Sequence, residues 1–257
     1  PVAGLMHAVF LFGFFVLGIG HFEVILEGVT TFLVPLGRRP FADDQVLPAG
    51  LAAAYHLSQD LFAAAVLVAA GLALARRFAG SPARLLPRSL DGERILWFLV
   101  ALYFTFFLLS GPTLALRQQA TGQAAWSAAQ PVSSLVASVY AGLGVPGSRA
   151  LRGMGFWAHT FVFLGFAAYL PTTKHMHLVF AWPNLYFFRR KRYGLPPPVD
   201  FEKTEKFGIE RVQELPWKSL PDSFACTECG GCNPVCPAHA TGNPLQPMKV
   251  LHDVKLN

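Results

Sequence analysis

The run AGLMHAVFLFGFFVLGIGHFEVILEGVTTFLV, from Ala3 to Val34, decides the fold class of this chain. Its only Asp, Glu, Lys or Arg side chains are Glu23 and Glu27. A helix needs about 20 mainly apolar residues to cross the hydrocarbon core of a bilayer. The run therefore predicts a first transmembrane helix.

The composition of the whole chain is that of a membrane protein. Of its 257 residues, 53% are hydrophobic and 14% are charged, whereas a soluble domain is about 25% charged. Further apolar runs are long enough to cross a bilayer, and a shorter one is predicted to lie near the membrane interface. The further spans are predicted at about Leu51–Ala75, Ile95–Leu116 and Gly153–Leu170 (the last continuing to Phe188 if Pro171 is tolerated), and the interfacial segment at Val132–Val145.

The positive charges lie in blocks beside the apolar runs. One block lies between the second and third spans and another follows the fourth, whereas the loop between the third and fourth spans holds little beyond Arg117 and Arg149. Because Lys and Arg favour the cytoplasmic side, both blocks and the N-terminus are predicted to face the cytoplasm of a multi-pass inner-membrane protein. We attribute the net charge of +6 to these blocks, which are expected to contact membrane lipid. Nucleic-acid binding is not predicted. The blocks are Arg76, Arg77, Arg84, Arg88 and Arg94, and Arg189, Arg190, Lys191 and Arg192.

All four cysteines lie in one run, Cys226-Thr-Glu-Cys229-Gly-Gly-Cys232-Asn-Pro-Val-Cys236-Pro237. This spacing is that of bacterial ferredoxins that hold a [4Fe–4S] cluster. The two glycines let backbone N–H groups approach the sulfides, whereas zinc would require two CxxC pairs with a longer gap. The run predicts a [4Fe–4S] site on a reduced, water-exposed segment.

The role of Cys236 has two interpretations. Either one cluster uses all four cysteines, or Cys236 ligates a second cluster, as in two-cluster ferredoxins, and the chain is the front part of a longer protein. The second interpretation is favoured. The predicted fold is all-α: a transmembrane domain of four spans over 1–192, a linker over 193–220 that contains Gly194-Leu-Pro-Pro-Pro198, and the start of a small ferredoxin-type iron–sulfur domain over 221–257.

Histidines inside a membrane are costly and usually functional. His7 and His21 lie fourteen residues apart on the first span, so at about 100° per residue they share a face. His159 and His177 share a face of the fourth span if that helix continues through Pro171. Since the first and fourth spans run antiparallel, His7 is predicted to pair with His177 near the cytoplasm and His21 with His159 deeper, as ligands of two b haems.

Other residues near these histidines have possible roles of their own. His175 is the rival of His177 as a ligand, and His56 is interpreted as an interfacial histidine. The small residues Gly13, Gly18 and Gly20 could let a flat macrocycle approach the first helix.

The motifs taken in order resemble one family, the membrane-bound heterodisulfide-reductase-related (Fe–S)-binding oxidoreductases, which include electron-transfer-flavoprotein:menaquinone oxidoreductases. Their membrane part is similar to the cytochrome b (gamma) subunit of respiratory nitrate reductase. The resemblance covers nearly the whole chain and is most specific from Trp217 to Pro247. The motifs are Ala3-Gly-Leu-Met-His7, Trp157-Ala-His159, Tyr169-Leu-Pro-Thr-Thr-Lys-His-Met-His177, Pro183-Asn184, Trp217-Lys218 and the cysteine run.

The resemblance implies a further N-terminal span, two b haems, two [4Fe–4S] clusters and cysteine-rich C-terminal repeats. It assigns haem-ligand roles to His7, His159 and His177, and cluster roles to Cys226, Cys229, Cys232 and Cys236. Two positions depart from the family: Gly231 stands where Arg is frequent, and His21 is less typical than His7.

The expected function is electron transfer, in either direction, between a cytoplasmic electron-transfer flavoprotein or dehydrogenase and menaquinone or ubiquinone. Glu23 and Glu27 would either relay quinol protons or reach towards the interface. Lys174 would either bind a quinone carbonyl or follow the positive-inside rule, which is favoured. No catalytic residue is predicted, because the chemistry belongs to the cofactors. The alternative is a non-catalytic membrane anchor and electron conduit of a larger complex.

Overall fold

A computed structural model of the chain describes residues 2–33, 47–80, 89–122, 126–188, 202 and 211–256. These residues form helices, short 3₁₀ turns and connecting segments, and among them there is no β-strand. The helices are α1 (Val2–Leu33), α2 (Ala49–Gly80), α3 (Leu90–Thr121), α4 (Pro131–Tyr140), α5 (Gly144–Tyr169), α6 (His177–Tyr186), α7 (Ser219–Phe224), α8 (Pro237–Ala240) and α9 (Pro247–Leu256).

Within the described residues, four helical segments are long and apolar enough to cross a membrane. Two of them, Ala49–Gly80 and Leu90–Thr121, have 32 residues each, which at 1.5 Å per residue exceeds the ~30 Å hydrocarbon core. Their polar ends can therefore reach the headgroup region while the apolar middle stays in lipid. The prediction of an α-helical protein with four membrane spans is confirmed at this level. The other two segments are Val2–Val29 and Gly144–Thr172.

The fourth span starts earlier than the sequence expectation, and α5 ends next to the predicted Leu170 without the possible continuation to Phe188. It begins at Gly144 rather than Gly153, and α5 ends at Tyr169. Pro171 cannot donate a backbone hydrogen bond, and Thr173 adopts an extended conformation (φ −122°, ψ 168°). Leu170–Thr172 and Lys174–Met176 are single 3₁₀ turns, after which α6 starts. The helix does not continue through Pro171, so the condition under which His159 and His177 would share a helical face is not met.

The chain divides into two compact units. The first comprises Pro1–Gly80 and Glu93–Ala168, and the second comprises Ser81–Gly92 and Tyr169–Asn257. The histidines His7, His21 and His159 belong to the first unit, and His177 with the cysteine run belongs to the second.

Several sequence predictions fall outside the described residues. They concern Val34 at the end of the first predicted span, Arg84, Arg88, the positive block 189–192, and most of the linker 193–220.

Close helix packing in the first unit depends on a few glycines. A Cβ atom at Gly155 of α5 would lie 2.5 Å from the carbonyl oxygen of Leu108 on α3, so a larger residue would push these two backbones apart. Gly20 of α1 faces the side chain of Gln59 on α2 in the same way, and the Gln59 amide donates to the carbonyl oxygen of Val16 at 2.5 Å. These contacts pair α1 with α2 and α3 with α5 in the frame of the first unit.

Helix α4 is attached to this frame by a buried carboxylate. Asp60 on α2 is fully buried and accepts the backbone N–H groups of Val132 at 2.6 Å and Ser133 at 3.0 Å. The first turn of any helix has N–H groups without intrahelical partners, and Asp60 provides acceptors for two of them. The hydroxyl of Ser133 also bonds to Asp60 at 2.5 Å and contacts Ser110 of α3 at 2.8 Å. The segment predicted to lie near the interface is thus bonded to two spans.

Candidate functional site

His21 and His159 come together in the first unit. The two side chains are 7% and 1% exposed, and their rings stack with centroids 5.1 Å apart and an interplanar angle of 22°. His21 is contributed by α1 and His159 by α5. This is the deeper of the two predicted histidine pairs, and its members are adjacent in the structure.

The hydrogen bonds of both rings define their tautomers. The Nδ1 atom of His21 lies 2.5 Å from the carbonyl oxygen of Leu17, and Nδ1 of His159 lies 3.1 Å from that of Leu102. A carbonyl oxygen only accepts, so each Nδ1 carries the hydrogen and each Nε2 holds a lone pair. Metal-binding histidines commonly use their second nitrogen in this way.

The Nε2 atom of His21 is buried and has no hydrogen-bond partner in the described part of the chain. A buried polar atom without a partner is rare and calls for an explanation, such as an ion or cofactor. Thr105 also helps to orient the His159 ring, because its hydroxyl oxygen lies 3.1 Å from Nδ1 of His159. A lone-pair nitrogen that is oriented, buried and unsatisfied fits a ligand of haem iron in its chemistry.

Aromatic side chains surround the pair. The ring of Phe163 stacks on His21 at 4.9 Å, the ring of Tyr103 approaches His21 edge-on at 6.1 Å, and that of Phe106 approaches His159 at 6.4 Å. These rings exclude water from both imidazoles.

The glycines expected to admit a macrocycle serve a different purpose at two of three positions. A Cβ at Gly13 would meet Val66, and one at Gly20 would meet Gln59, both on α2. These two glycines bring α1 and α2 together, so the expectation is wrong for them. Gly18 alone has open space beside it.

The second predicted pair is divided between the two units. His7 is exposed on α1, whereas His177 starts α6 in the second unit. The Nδ1 atom of His177 lies 2.8 Å from the carbonyl oxygen of Lys174, which leaves Nε2 as its lone-pair nitrogen, as in the deeper pair. The ring of His175 lies 5.5 Å from that of His177 at 74°. The pairing of His7 with His177, and the choice between His177 and His175, stay predictions.

Both glutamates of the first span are buried and bonded. Glu23 and Glu27 are 3% and 4% exposed. The hydroxyl of Tyr55 donates to Glu23 at 2.5 Å, and the guanidinium of Arg152 forms an ion pair with Glu27. Neither glutamate reaches to the surface, as one of the two interpretations required. The sequence analysis did not single out Tyr55 or Arg152, although a lone arginine or tyrosine among apolar residues is a visible signal.

The cysteine run forms an irregular loop in the second unit. Glu228 and Gly230 adopt left-handed conformations, with φ of 53° and 70°. The backbone N–H of Glu228 points to Sγ of Cys226 at 3.4 Å. Burial raises the pKa of the Cys226 thiol, and the hydrogen bond from Glu228 opposes that shift in part. Backbone amides directed at sulfur are the donors that a thiolate-held cluster uses.

The four thiols are free of disulfides, but they are not arranged around one metal position. None of the four cysteines is in a disulfide, and Cys229 and Cys232 are exposed. Within the described ranges, no three His, Cys, Asp or Glu side chains are arranged as ligands of one metal ion. Metal binding commonly draws such ligands together. The donor set therefore fits a [4Fe–4S] cluster in its chemistry, with Cys226, Cys229, Cys232 and Cys236 as the residues that would hold it.

Glu228 connects the cysteine loop to the rest of the second unit. Its carboxylate lies 3.0 Å from Nδ1 of His252, 3.6 Å from Nζ of Lys255 and 3.7 Å from Nζ of Lys174. The Glu228 side chain is only 13% exposed. The backbone N–H of Lys174 also donates to Asp91 at 3.0 Å. The sequence pattern did not single out Glu228, and for Lys174 it favoured the positive-inside rule over a quinone contact.

Comparison with known proteins gives relatives that are longer than this chain. It is 30% identical over 251 residues to "Probable iron-sulfur-binding oxidoreductase FadF" of Bacillus subtilis (strain 168), covering 97% of this chain and 33% of that protein. It is 29% identical over 164 residues to "EtfAB:quinone oxidoreductase" of Syntrophomonas wolfei, covering 62% of this chain and 23% of that protein.

A third relative matches a shorter stretch. It is "Probable membrane-anchored ferredoxin" of Chromohalobacter salexigens, 43% identical over 47 residues, or 18% of this chain and 7% of that protein. No protein-family model and no solved structure matches the chain. The chain thus spans about a third or less of the length of the curated relatives that it matches. Nearly all of the chain is similar to a relative that has iron–sulfur-binding oxidoreductase in its name.

Proposed function

We propose that this chain is the membrane part of an iron–sulfur oxidoreductase that transfers electrons between a cytoplasmic redox protein and a quinone. The observation that carries this proposal is the buried pair of His21 and His159. Each ring is oriented by a backbone carbonyl on Nδ1, and Nε2 of His21 is buried without a hydrogen-bond partner among the described residues. The names of the relatives support iron–sulfur and electron-transfer chemistry.

His21 and His159 would be the residues that hold one b haem. A bound haem would supply one-electron chemistry within the hydrocarbon core. The residues of this chain orient and protect the ligands: the carbonyls of Leu17 and Leu102 hold the tautomers, and Phe163 covers the His21 ring. Hydrogen bonding at Nδ1 increases the basicity of the ligating nitrogen. His7 and His177 would hold a second haem nearer the cytoplasm.

The cysteine loop would hold the iron–sulfur chemistry at the cytoplasmic side of an inner membrane. Cys226, Cys229 and Cys232 would ligate one [4Fe–4S] cluster, and Cys236 either completes it or ligates a second cluster of the longer protein. The backbone N–H of Glu228 would stay directed at the Cys226 sulfur. The positive blocks beside the spans support this orientation.

The proposed function also implies redox partners in water and in the membrane. The electron donor or acceptor in water would be an electron-transfer flavoprotein or a dehydrogenase, and in the membrane menaquinone or ubiquinone. One relative has both EtfAB and a quinone in its name, which supports this choice.

The optical spectrum of the purified protein tests the proposal. The chain, produced in a haem-competent host and purified in detergent, is expected to show the absorption of a low-spin b haem that sharpens on reduction. His21→Ala and His159→Ala should each remove that absorption at the deeper site, while His56→Ala, another histidine on a membrane-spanning helix, should keep it. Protein that contains iron and sulfide but no haem absorption would refute the assignment of the histidines.

A second measurement separates an oxidoreductase from a passive conduit. A quinol added to the isolated chain is expected to reduce its haem. If the haem is present but only a partner subunit can reduce it, the chain would be a membrane anchor and conduit instead.

A further inference from the structure

Lys174 lies in the break between α5 and α6, in a single 3₁₀ turn. Its side chain is only 12% exposed, although a lysine that serves only to orient a membrane span would keep its ammonium among water and lipid head groups. A buried ammonium is stable only where protein groups replace the water around it. The role of Lys174 therefore has to be sought in its partners.

The backbone of Lys174 orients the ring of His177. The Lys174 carbonyl oxygen accepts from Nδ1 of His177 at 2.8 Å and from the backbone N–H of the same residue. The backbone N–H of Lys174 donates to Asp91 near the start of α3 at 3.0 Å, and Asp91 also accepts from the hydroxyl of Tyr169 at 2.8 Å. The His177 ring is thus attached, through one short peptide segment, to the beginning of a membrane-spanning helix.

The side chain of Lys174 reaches the cysteine loop. Its Nζ atom donates to the hydroxyl of Ser89 at 2.7 Å and lies 3.7 Å from the carboxylate of Glu228. Glu228 stands between Cys226 and Cys229, and its side chain is 13% exposed, so the attraction between the two charges is screened less than at an open surface. All of these residues belong to the second unit. One residue therefore contacts the cysteine loop with its side chain and the first imidazole of α6 with its backbone.

We propose that Lys174 is a positioning residue for electron transfer within the second unit. It holds the cysteine loop and the His177 ring at a fixed separation, and its ammonium favours an added electron on the loop. A metal site keeps its geometry when the groups around its ligands are held by packing and hydrogen bonds, and nearby charge sets the potential of an iron–sulfur centre. This inference rests on the proposed electron-transfer function, but it concerns a residue to which no metal-ligand role is assigned.

Hydrogen exchange of the detergent-purified full chain tests the contact with the loop. Lys174→Met removes the ammonium and leaves both backbone groups of the residue in place. We expect the amides of residues 226–232 to exchange about tenfold faster, the effect of one lost interaction with a charged group on local opening. Lys174→Arg keeps the charge and should restore most of the protection. Unchanged exchange at 226–232 in Lys174→Met would overturn the proposal.

Lys249→Met is the matched control. Lys249 pairs with Asp253 on α9, and its side chain is 65% exposed, so exchange at 226–232 should match that of the unaltered chain. An equal acceleration in Lys174→Met and Lys249→Met would reveal a general effect of charge on the second unit and would refute the specific role of Lys174. Should Lys174→Met fail to fold, Lys174→Gln takes its place, because it loses the charge and keeps a donor for Ser89.

The reduction potential separates a positioning charge from a contact that only stabilises the fold. For the chain purified with iron and sulfide, a redox titration followed by electron paramagnetic resonance is expected to give a lower cluster potential in Lys174→Met, because a positive charge stabilises the reduced, more negative form. Lys174→Arg should return the potential to that of the unaltered chain, and Lys249→Met should not change it. A potential that is unchanged or higher in Lys174→Met would contradict the proposal.

The link to His177 is tested from the side of the loop. Glu228→Gln substitutes only a loop residue, but because Lys174 connects the two parts, amide exchange should also become faster at residues 174–178. Asp253→Asn, which changes a carboxylate on the exposed side of α9, should leave exchange at 174–178 as it is. Faster exchange in the loop with no change at 174–178 would show that loop and ring are held independently, and the proposal would fail.

Exchange is measured whatever the cofactor content of the chain. A chain without iron, sulfide or haem would refute the proposed function, and the exchange data would still decide whether Lys174 joins the loop to the ring. A chain that holds its cofactors, and in which the Lys174 variants behave like Lys249→Met, would refute the positioning role and leave the proposed electron transfer standing.

Discussion

The imidazole rings of His21 and His159 stack 5.1 Å apart although they come from the first and the last of the four candidate spans. Each uses Nδ1 on a backbone carbonyl. The contact identifies which faces of α1 and α5 meet, and it places both imidazole rings in one buried region.

The hydroxyl of Thr105 should tune the haem site through His159. Thr105→Val removes the oxygen that lies 3.1 Å from Nδ1 of His159 and leaves the Leu102 carbonyl as the remaining acceptor. Loss of such a partner commonly lowers metal affinity by about 10- to 100-fold. We expect faster haem loss to an acceptor such as apomyoglobin, and a higher haem midpoint potential because the ligand becomes less basic.

The matched control for Thr105 is its counterpart on α5. The hydroxyl of Thr160 is buried and has no hydrogen-bond partner among the described residues, so Thr160→Val should leave haem retention unchanged and stability equal or higher. Identical haem loss from both variants would show that Thr105 acts only through packing.

The carboxylate of Asp60 should be required for the attachment of α4. Asp60→Ala removes the acceptor of the Val132 and Ser133 N–H groups. A lost helix cap costs about 1–2 kcal/mol, and the Ser133 hydroxyl loses its acceptor as well. We expect a lower melting temperature in detergent and faster amide exchange at residues 132–134. Ser58→Ala, a change on the same helix that removes only a local bond to Tyr55, should change exchange there little.

Removal of either partner of the Glu27–Arg152 ion pair should destabilise the protein. Breaking a buried pair costs about 3–5 kcal/mol, and we expect less here because the Arg152 side chain is 34% exposed. Glu27→Gln and Arg152→Gln should therefore each lower thermal stability in detergent. The double variant should recover much of the loss, since no uncompensated charge remains. A strictly additive double variant would show that the two side chains are not coupled.

Glu228 should control how well the cysteine loop holds its cluster. Glu228→Gln weakens the attraction to Lys174, Lys255 and His252 and leaves two lysines without this counter-charge near the cluster. We expect lower iron and sulfide content per chain, and a higher cluster potential because the negative charge is gone.

Asp253→Asn provides the control for Glu228. Asp253 pairs with Lys249 on the exposed side of α9, where an ion pair is worth about 0–1 kcal/mol. Iron content should match that of the unaltered chain. Equal losses in both variants would indicate a general effect of charge on the second unit.

Sequence periodicity and apolar length predicted the four membrane spans, because each span must satisfy its own backbone in lipid. The end of the fourth span could not be derived in the same way. Pro171 is compatible with either a kink or a break, and the extended conformation of Thr173 decided for a break. His177 therefore starts a new helix and does not extend the face of α5 that carries His159.

The sequence by itself determined the chemistry-bearing residues: four cysteines at ferredoxin spacing and histidines inside apolar runs. Residue type and local spacing carry that information. Only the tertiary structure decided which groups meet, as for Tyr55 with Glu23, Arg152 with Glu27, Asp60 with the start of α4, and Glu228 with two lysines and a histidine. These partners are far apart in the chain, and burial forces each polar group to find whichever partner the packing of helices brings within reach.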